Sequence, residues 1–286
     1  MYLLVKGCNG FGNLISILSY AYNIAQRMDM TLVVDWTHKE WKLCFDKYFK
    51  LKNIKTMTYN DFKVMINESY NKSINLNIYP EIFMNKDILV DSISNTFPNI
   101  DKDNTYHEVF NPVLEIISSK EKLDHHKYDI YVLSYNWLGY DNVKTLWNNM
   151  KLNSDIKTYV DNKITSLGIY NAMHVRHTDN KNISCTWITD YVKENLNKKI
   201  YIATDNEIIL NICRSIHPNI INFTQFYEKG KPLHTQEKTE DEKHQINIDT
   251  LCDMYILINA NELKIPPLKT IPYMTTSSML AMNIRK

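Results

Sequence analysis

Apolar residues follow two different periods along this chain, and each period predicts its own kind of element. A run at Tyr2 to Val5 is followed by Leu14, Ile17, Leu18, Ala21, Ile24, Ala25 and Met28, recurring at three- and four-residue steps, and then by a second run at Leu32 to Val34. Short unbroken runs suit buried strands and the stepped set suits one face of a helix, so the opening reads as strand, helix, strand, a βαβ start. Asn13 is the expected helix N-cap. From Thr37 to about Leu152 no period dominates, and the expectation there is no finer than mixed α/β. Order returns at Ser154-Asp155, which can cap a helix through Ile156, Val160, Ile164 and Leu167 that Gly168 ends. Beyond it the pattern predicts strand Ile169 to Val175, helix Trp187 to Asn195, strand Ile200 to Ala203, helix Glu207 to Ile216 and a short strand near Ile220 to Phe223. The mixed-charge stretch Glu228 to Gln245 reads as a solvated loop, and a helix Ile248 to Ala260 follows, closed off by Ile265-Pro266-Pro267. Alternating strands and helices imply a parallel sheet with crossover connections.

Length and composition shape this picture in three ways. At 286 residues the chain exceeds the roughly 150 expected of one domain, which predicts two α/β domains, 1–153 and 154–286, sharing a cleft. A net charge of +1 excludes a global field that would draw nucleic acid or an anionic membrane, so any anion binding is local. Five cysteines, Cys8, Cys44, Cys185, Cys213 and Cys252, contain no close pair and fit neither a disulfide framework nor a zinc site, which points to a reducing compartment. The apolar run at Met1 to Val5 is too short for a signal peptide or a membrane span, so the expected location is cytoplasmic with no integral membrane segment.

Candidate chemistry gathers at the predicted strand ends. His174-Val175-Arg176-His177-Thr178-Asp179 places two imidazoles and a guanidinium where open α/β sheets bind ligands. A guanidinium there suits a phosphate or carboxylate. Tyr201-Ile202-Ala203-Thr204-Asp205-Asn206 leaves a second strand, with Asp205 or Asn206 placed to cap the next helix and Asp205 beside Arg176 if the strands pair. Gly7, Gly10 and Gly12 are three of the six glycines and share one strand-to-helix turn, where backbone can approach a ligand closely. Asp35, at the end of the second strand, suggests a ribose contact in a dinucleotide-binding oxidoreductase, but the Gly-x-Gly-x-x-Gly fingerprint meets Ile15 at its third glycine, which favours a polar strand end. Thr275-Thr276-Ser277-Ser278 opens a helix and can hold a phosphate. Asp101-Lys102-Asp103 imitates a metal-binding carboxylate pair, and Asp124-His125-His126 a metal pair; both sit in polar stretches that read as loops.

Taken in order, these residues resemble the α1,6-fucosyltransferase and protein O-fucosyltransferase superfamily, which includes the nodulation fucosyltransferases. The matching pieces are Gly10-Phe11-Gly12-Asn13 with Thr31 to Trp36, the His174 to Asp179 run, Tyr201 to Asn206, and Asp253 to Ala260 followed by Thr276-Ser277-Ser278. The resemblance implies a GT-B fold, two Rossmann-like domains facing a central cleft, and inverting transfer of fucose from GDP-fucose to a glycan or glycoconjugate hydroxyl without metal or cofactor. It assigns Arg176 to the diphosphate, His174 and Asp253 to guanine, and Ser277 and Ser278, with Thr276, to phosphate. Gly10, Gly12 and Asn13 would lie near the donor, as would Asp205. Many members carry a second arginine where this chain has His177, and core-fucosylating members carry a lysine and a glutamate base where it has Asn180 and Ser184. The base is therefore sought among Asp179, His177 and Asp35, in that order. Another GDP-sugar as donor, a nucleotide- or carbohydrate-binding module without turnover, and an NAD-dependent oxidoreductase are the alternatives.

Overall fold

A computed structural model describes residues 1–7, 10–38, 41–91, 127–134, 139–176, 185–226, 238–265 and 276–285. They divide into two compact units, Met1–Asn153 and Ser154–Lys286.

In the first unit, β1 (Tyr2–Lys6), α1 (Phe11–Arg27) and β2 (Thr31–Asp35) form the βαβ start. Asn13 is not the N-cap of α1. Gly10 takes that place, and the Asn13 backbone N–H donates to the Gly10 carbonyl at 2.9 Å. The helix begins early because Phe11 is itself buried, its ring stacked on Trp41 at 5.5 Å between centroids. The stretch without a clear period contains β3 (Phe49–Leu51), β4 (Thr56–Met57), α2 (Tyr59–Asn71), β5 (Ile78–Tyr79), α3 (Lys86–Val90), β6 (Ile130–Leu133), α4 (Val143–Asn149) and β7 (Met150–Leu152). Five of the strands form a parallel sheet in the order β4-β2-β1-β6-β5, while β3 and β7 pair antiparallel as a separate ribbon. β1, β2 and β6 are buried almost throughout, the signature of parallel strands covered on both faces. On one side Tyr59, Phe62 and Ile66 of α2 pack with Leu4, Val33, Ile130 and Val132. Each such side chain contributes about 1.5–3 kcal/mol through burial.

The second unit follows the predicted alternation. It runs α5 (Ser154–Leu167), β8 (Asn171–Val175), α6 (Cys185–Glu194), β9 (Ile200–Thr204), α7 (Glu207–Ile216), β10 (Ile220–Ile221), α8 (Glu240–Asn259), β11 (Leu263–Lys264) and α9 (Thr276–Arg285). The sheet is parallel in the order β10-β9-β8-β11. β8 starts two residues later than its apolar run suggests, because Gly168 turns the chain at φ +65° and leaves Ile169 89% exposed. β10 ends at Ile221, short of Phe223. The larger correction concerns residues 240–245, which are helix rather than loop. Thr239 accepts from the Glu242 backbone N–H, and the Glu242 carboxylate accepts in return from the Thr239 N–H, a capping box that starts α8 six polar residues before its first apolar one, Ile246.

Strand alternation sorts the second sheet into two faces. Met173 and Val175 pack with Ile188, Tyr191 and Val192 of α6 and Ile209, Leu210 and Cys213 of α7. His174 therefore faces the other way, as does Tyr201, which is in register with Ala172. On that side lie α8, in contact with both β8 and β9, and α9, in contact with α8. Among the described residues no helix is long and apolar enough to cross a membrane.

Candidate functional site

At the carboxyl end of the first sheet the charges are already spoken for. The buried Lys6 ammonium donates to Asp35 Oδ2 at 2.9 Å and to the Asp91 carbonyl at 2.5 Å, while Asp35 Oδ1 accepts from the Thr37 N–H at 2.9 Å and its hydroxyl at 2.6 Å. Burial alone would raise the Asp35 carboxyl, but Lys6 and the two Thr37 bonds outweigh it and hold it below the usual carboxylate range. The neighbouring Tyr59 phenol is pushed up, first by burial and then by the Asp35 charge. A carboxylate so engaged is a poor ribose contact and a poor base, so Asp35 is the structural strand end that the broken fingerprint favours. Gly7 has the tight approach in the glycine turn: an added Cβ would come within 2.4 Å of Leu14 Cδ2 and 2.8 Å of Trp36 Cδ1. Gly10 has open space instead, with nothing within 4 Å of such a Cβ. Trp36 packs edge-on to Phe45 at 4.9 Å and to Phe11 at 6.2 Å, closing an aromatic layer over this strand end.

The carboxyl end of the second sheet is organised differently. Val175 and Thr204 are in register, so Arg176 and Asp205 leave adjacent strands at the same level. Asn206 caps α7, its side chain accepting from the Ile208 and Ile209 N–H groups, which leaves Asp205 as the strand-end carboxylate. His174 Nδ1 lies 2.6 Å from Ser278 Oγ. Burial, with the Arg176 cation adding to it, lowers the His174 imidazole to about 4, so it is neutral at pH 7.

Asp253 of α8 lies over the same face of the sheet as His174, bonded to Tyr201 nearer the start of β9. Its Oδ1 accepts from the Tyr201 hydroxyl at 2.5 Å and its Oδ2 from the Thr224 hydroxyl at 3.0 Å. Burial, seconded by the nearby Asp249 charge, raises this carboxyl to about 7 against the pull of its two donors. One helical turn earlier, Asp249 accepts from Gln245 Nε2 at 2.8 Å and the Gln225 N–H at 3.2 Å, and burial raises it too. α9 is fixed to α8 from its far end, where Arg285 Nη1 donates to the carbonyls of Leu257, Ile258 and Ala260 at 3.0, 3.1 and 2.7 Å. Those are carbonyls that a helix end leaves unpaired.

No family model and no curated protein sequence matches the chain. Solved structures do. The α-1,6-fucosyltransferase NodZ soaked with GDP-fucose superposes with a TM-score of 0.66 at 17% identity, over 99% of this chain and 92% of that one. NodZ from Bradyrhizobium gives 0.64 at 16% identity, covering 98% and 91%. POFUT1 in complex with GDP gives 0.60 at 13% identity, covering 99% and 95%. The chain has the fold of these fucosyltransferases.

Within this fucosyltransferase fold the second unit brings together His174, Arg176 and Asp205 at the ends of β8 and β9, with Ser278 bonded to His174 and Asp253 on the same side of the sheet as His174. Gly10, Gly12 and Asn13 belong to the first unit, at the start of α1. His177, Asp179, Asn180 and Ser184 lie outside the described residues, as do the Asp101-Lys102-Asp103 and Asp124-His125-His126 motifs. Thr276 and Ser277 open α9, but their side chains are outside the description. Among the described residues no three His, Cys, Asp or Glu side chains form a metal-binding group. Tyr201, Thr224, Asp249 and Arg285 were not legible as site residues. Tyr201 stands in an apolar run, and only its register beside Ala172 reveals the face it occupies.

Proposed function

We propose that this protein is an inverting glycosyltransferase that transfers fucose from GDP-fucose to a hydroxyl of a glycan or glycoconjugate. The observation that carries this reading is the pairing of Arg176 with the neutral His174 at the end of β8, on the sheet face that Asp253 of α8 covers, in the fold that NodZ and POFUT1 share. Residues 154–286 act as the donor domain and 1–153 as the acceptor side.

In the proposed reaction the acceptor oxygen attacks C1 of fucose from the side opposite the diphosphate, which inverts the anomeric centre as GDP leaves. Negative charge grows on the leaving diphosphate, and the Arg176 guanidinium is a preorganised fork for it. That cation takes the charge-neutralising part, so no metal or cofactor is required. Because the ring is neutral, His174 can offer a single N–H to guanine without competing for the diphosphate. The Asp253 carboxylate is suited to accept from the N1–H and N2–H edge of guanine. Asp179 and then His177 are the candidates for removing the acceptor proton, a contribution typically of about 100-fold or more. The free Cys213 and Cys252 thiols, both buried, are in keeping with a reducing, cytoplasmic setting.

Arg176→Ala tests the reading directly. Turnover of GDP-fucose is expected to fall by about 100-fold or more, the effect of removing one preorganised donor from a developing oxyanion. Unchanged turnover would sink the proposal, and so would a wild-type protein whose melting temperature is indifferent to GDP.

A further inference from the structure

Ser278 stands in a run that resembles a phosphate-binding helix start, yet its hydroxyl is engaged by a side chain of the sheet. It is 1% exposed and sits 2.6 Å from His174 Nδ1. We propose that Ser278 is a positioning residue that donates its proton to His174 Nδ1 and so holds the ring in the Nε2–H tautomer.

The argument rests on proton counting. A neutral imidazole has one donor nitrogen and one acceptor nitrogen, and a partner at one of them decides the other. A second ring proton is disfavoured here by burial and by the Arg176 cation. The nucleotide ligand of the proposed function, on which this inference rests, offers His174 acceptors: guanine O6 and phosphate oxygens. A ring that serves such a ligand carries its proton on Nε2, and Nδ1 must then accept. Among the bonds that hold the ring, Ser278 supplies an O–H at hydrogen-bond distance to Nδ1. A hydroxyl has one proton, so a Ser278 that gives it to His174 has none left for a phosphate oxygen. Ser278 thereby acts on the nucleotide through His174. Its placement is mechanical as well as chemical, because α9 is buried through Leu280, Ala281 and Ile284 and secured at its end by Arg285.

Side-chain ¹⁵N–¹H correlation spectra of wild-type protein at pH 7, with calorimetric GDP titration, test this. The expected result is an Nε2–H pattern for His174 without nucleotide. In Ser278→Ala that pattern gives way to a mixture of tautomers, and GDP affinity drops about tenfold, the scale of one buried hydrogen bond. An Nδ1–H pattern in the wild type overturns the proposal, and that measurement needs no variant. A Ser278→Ala protein that loses GDP affinity while keeping the wild-type tautomer also overturns it, since Ser278 would then be a direct ligand contact. If the wild type shows the Nε2–H pattern and its loss in Ser278→Ala but never binds GDP, the positioning role stands and the nucleotide reading falls.

Discussion

The two parallel sheets of this chain end in polar residues at the same topological place, and they handle charge in opposite ways. At the first, Lys6 and Asp35 neutralise each other in the core, Thr37 donates twice to the other oxygen of Asp35, and aromatic rings cover the strand end. At the second, burial and the nearby Arg176 cation keep His174 from taking up a proton, and on the same face of the sheet burial makes Asp253 reluctant to lose one. A pair that satisfies itself asks nothing of a ligand. Groups held away from their ordinary charge states gain when a ligand supplies the missing partner, which is why strained titration marks candidate sites. Identical position in a βαβ unit is thus not enough to identify a site; the state of its charges discriminates.

The sharpest way to break that contrast is to unbalance the first sheet. Lys6→Met leaves the Asp35 carboxylate alone in the core and is expected to cost about 3–5 kcal/mol in urea unfolding, whereas Lys6→Met with Asp35→Leu restores most of it. A loss below about 1 kcal/mol in the single variant would mean that the pair is not the self-contained unit described.

The next effect belongs to Asp253. On the proposed guanine contact its ionised form binds, and with a pKa of about 7 its ionised fraction rises about tenfold from pH 6 to pH 8. GDP affinity measured across that range should strengthen by the same factor and become flat in Asp253→Asn; a flat wild-type profile would remove the contact. Stability runs against binding. A carboxyl raised from 3.8 to about 7 by folding takes up protons more readily in the folded state, so its contribution favours folding below pH 7 and is lost as pH rises through 7. His174, lowered from 6.5 to about 4, contributes stability that is lost as pH falls from 6.5 toward 4.

The smallest effect separates a cap from a ligand. Asn206→Ala removes the acceptor for two amides at the start of α7 and should cost about 1 kcal/mol of stability with GDP affinity unchanged. A drop in affinity larger than the drop in stability would move Asn206 from the fold to the site.

What could be read ahead of the structure follows from range. The helices α1, α5 and α7 and the strands β1, β2, β8 and β9 announce themselves through local periods, and α7 has the bounds its pattern predicts. β4 and β5 hold two residues each and exist only through their neighbours in the sheet, so no period marks them. The start of α8 did leave a local signal, Thr239 followed three residues later by Glu242, which a reading based on charge alone passed over. The site is harder. Arg176 is visible from residue type and strand end, but the partners of Asp253 are 52 and 29 residues away, and those of Lys6 are 29 and 85. Whether a buried polar residue is a ligand contact or half of a structural pair depends on such distant partners.

Arg285 turns the last helix into a lever. Its guanidinium clasps the carbonyls that end α8, and seven residues earlier the same helix carries the hydroxyl that grips His174. Tuning of the imidazole is therefore open to substitutions that never approach it: a shorter or uncharged side chain at Arg285 slackens the lever, and His174 feels the change through Ser278.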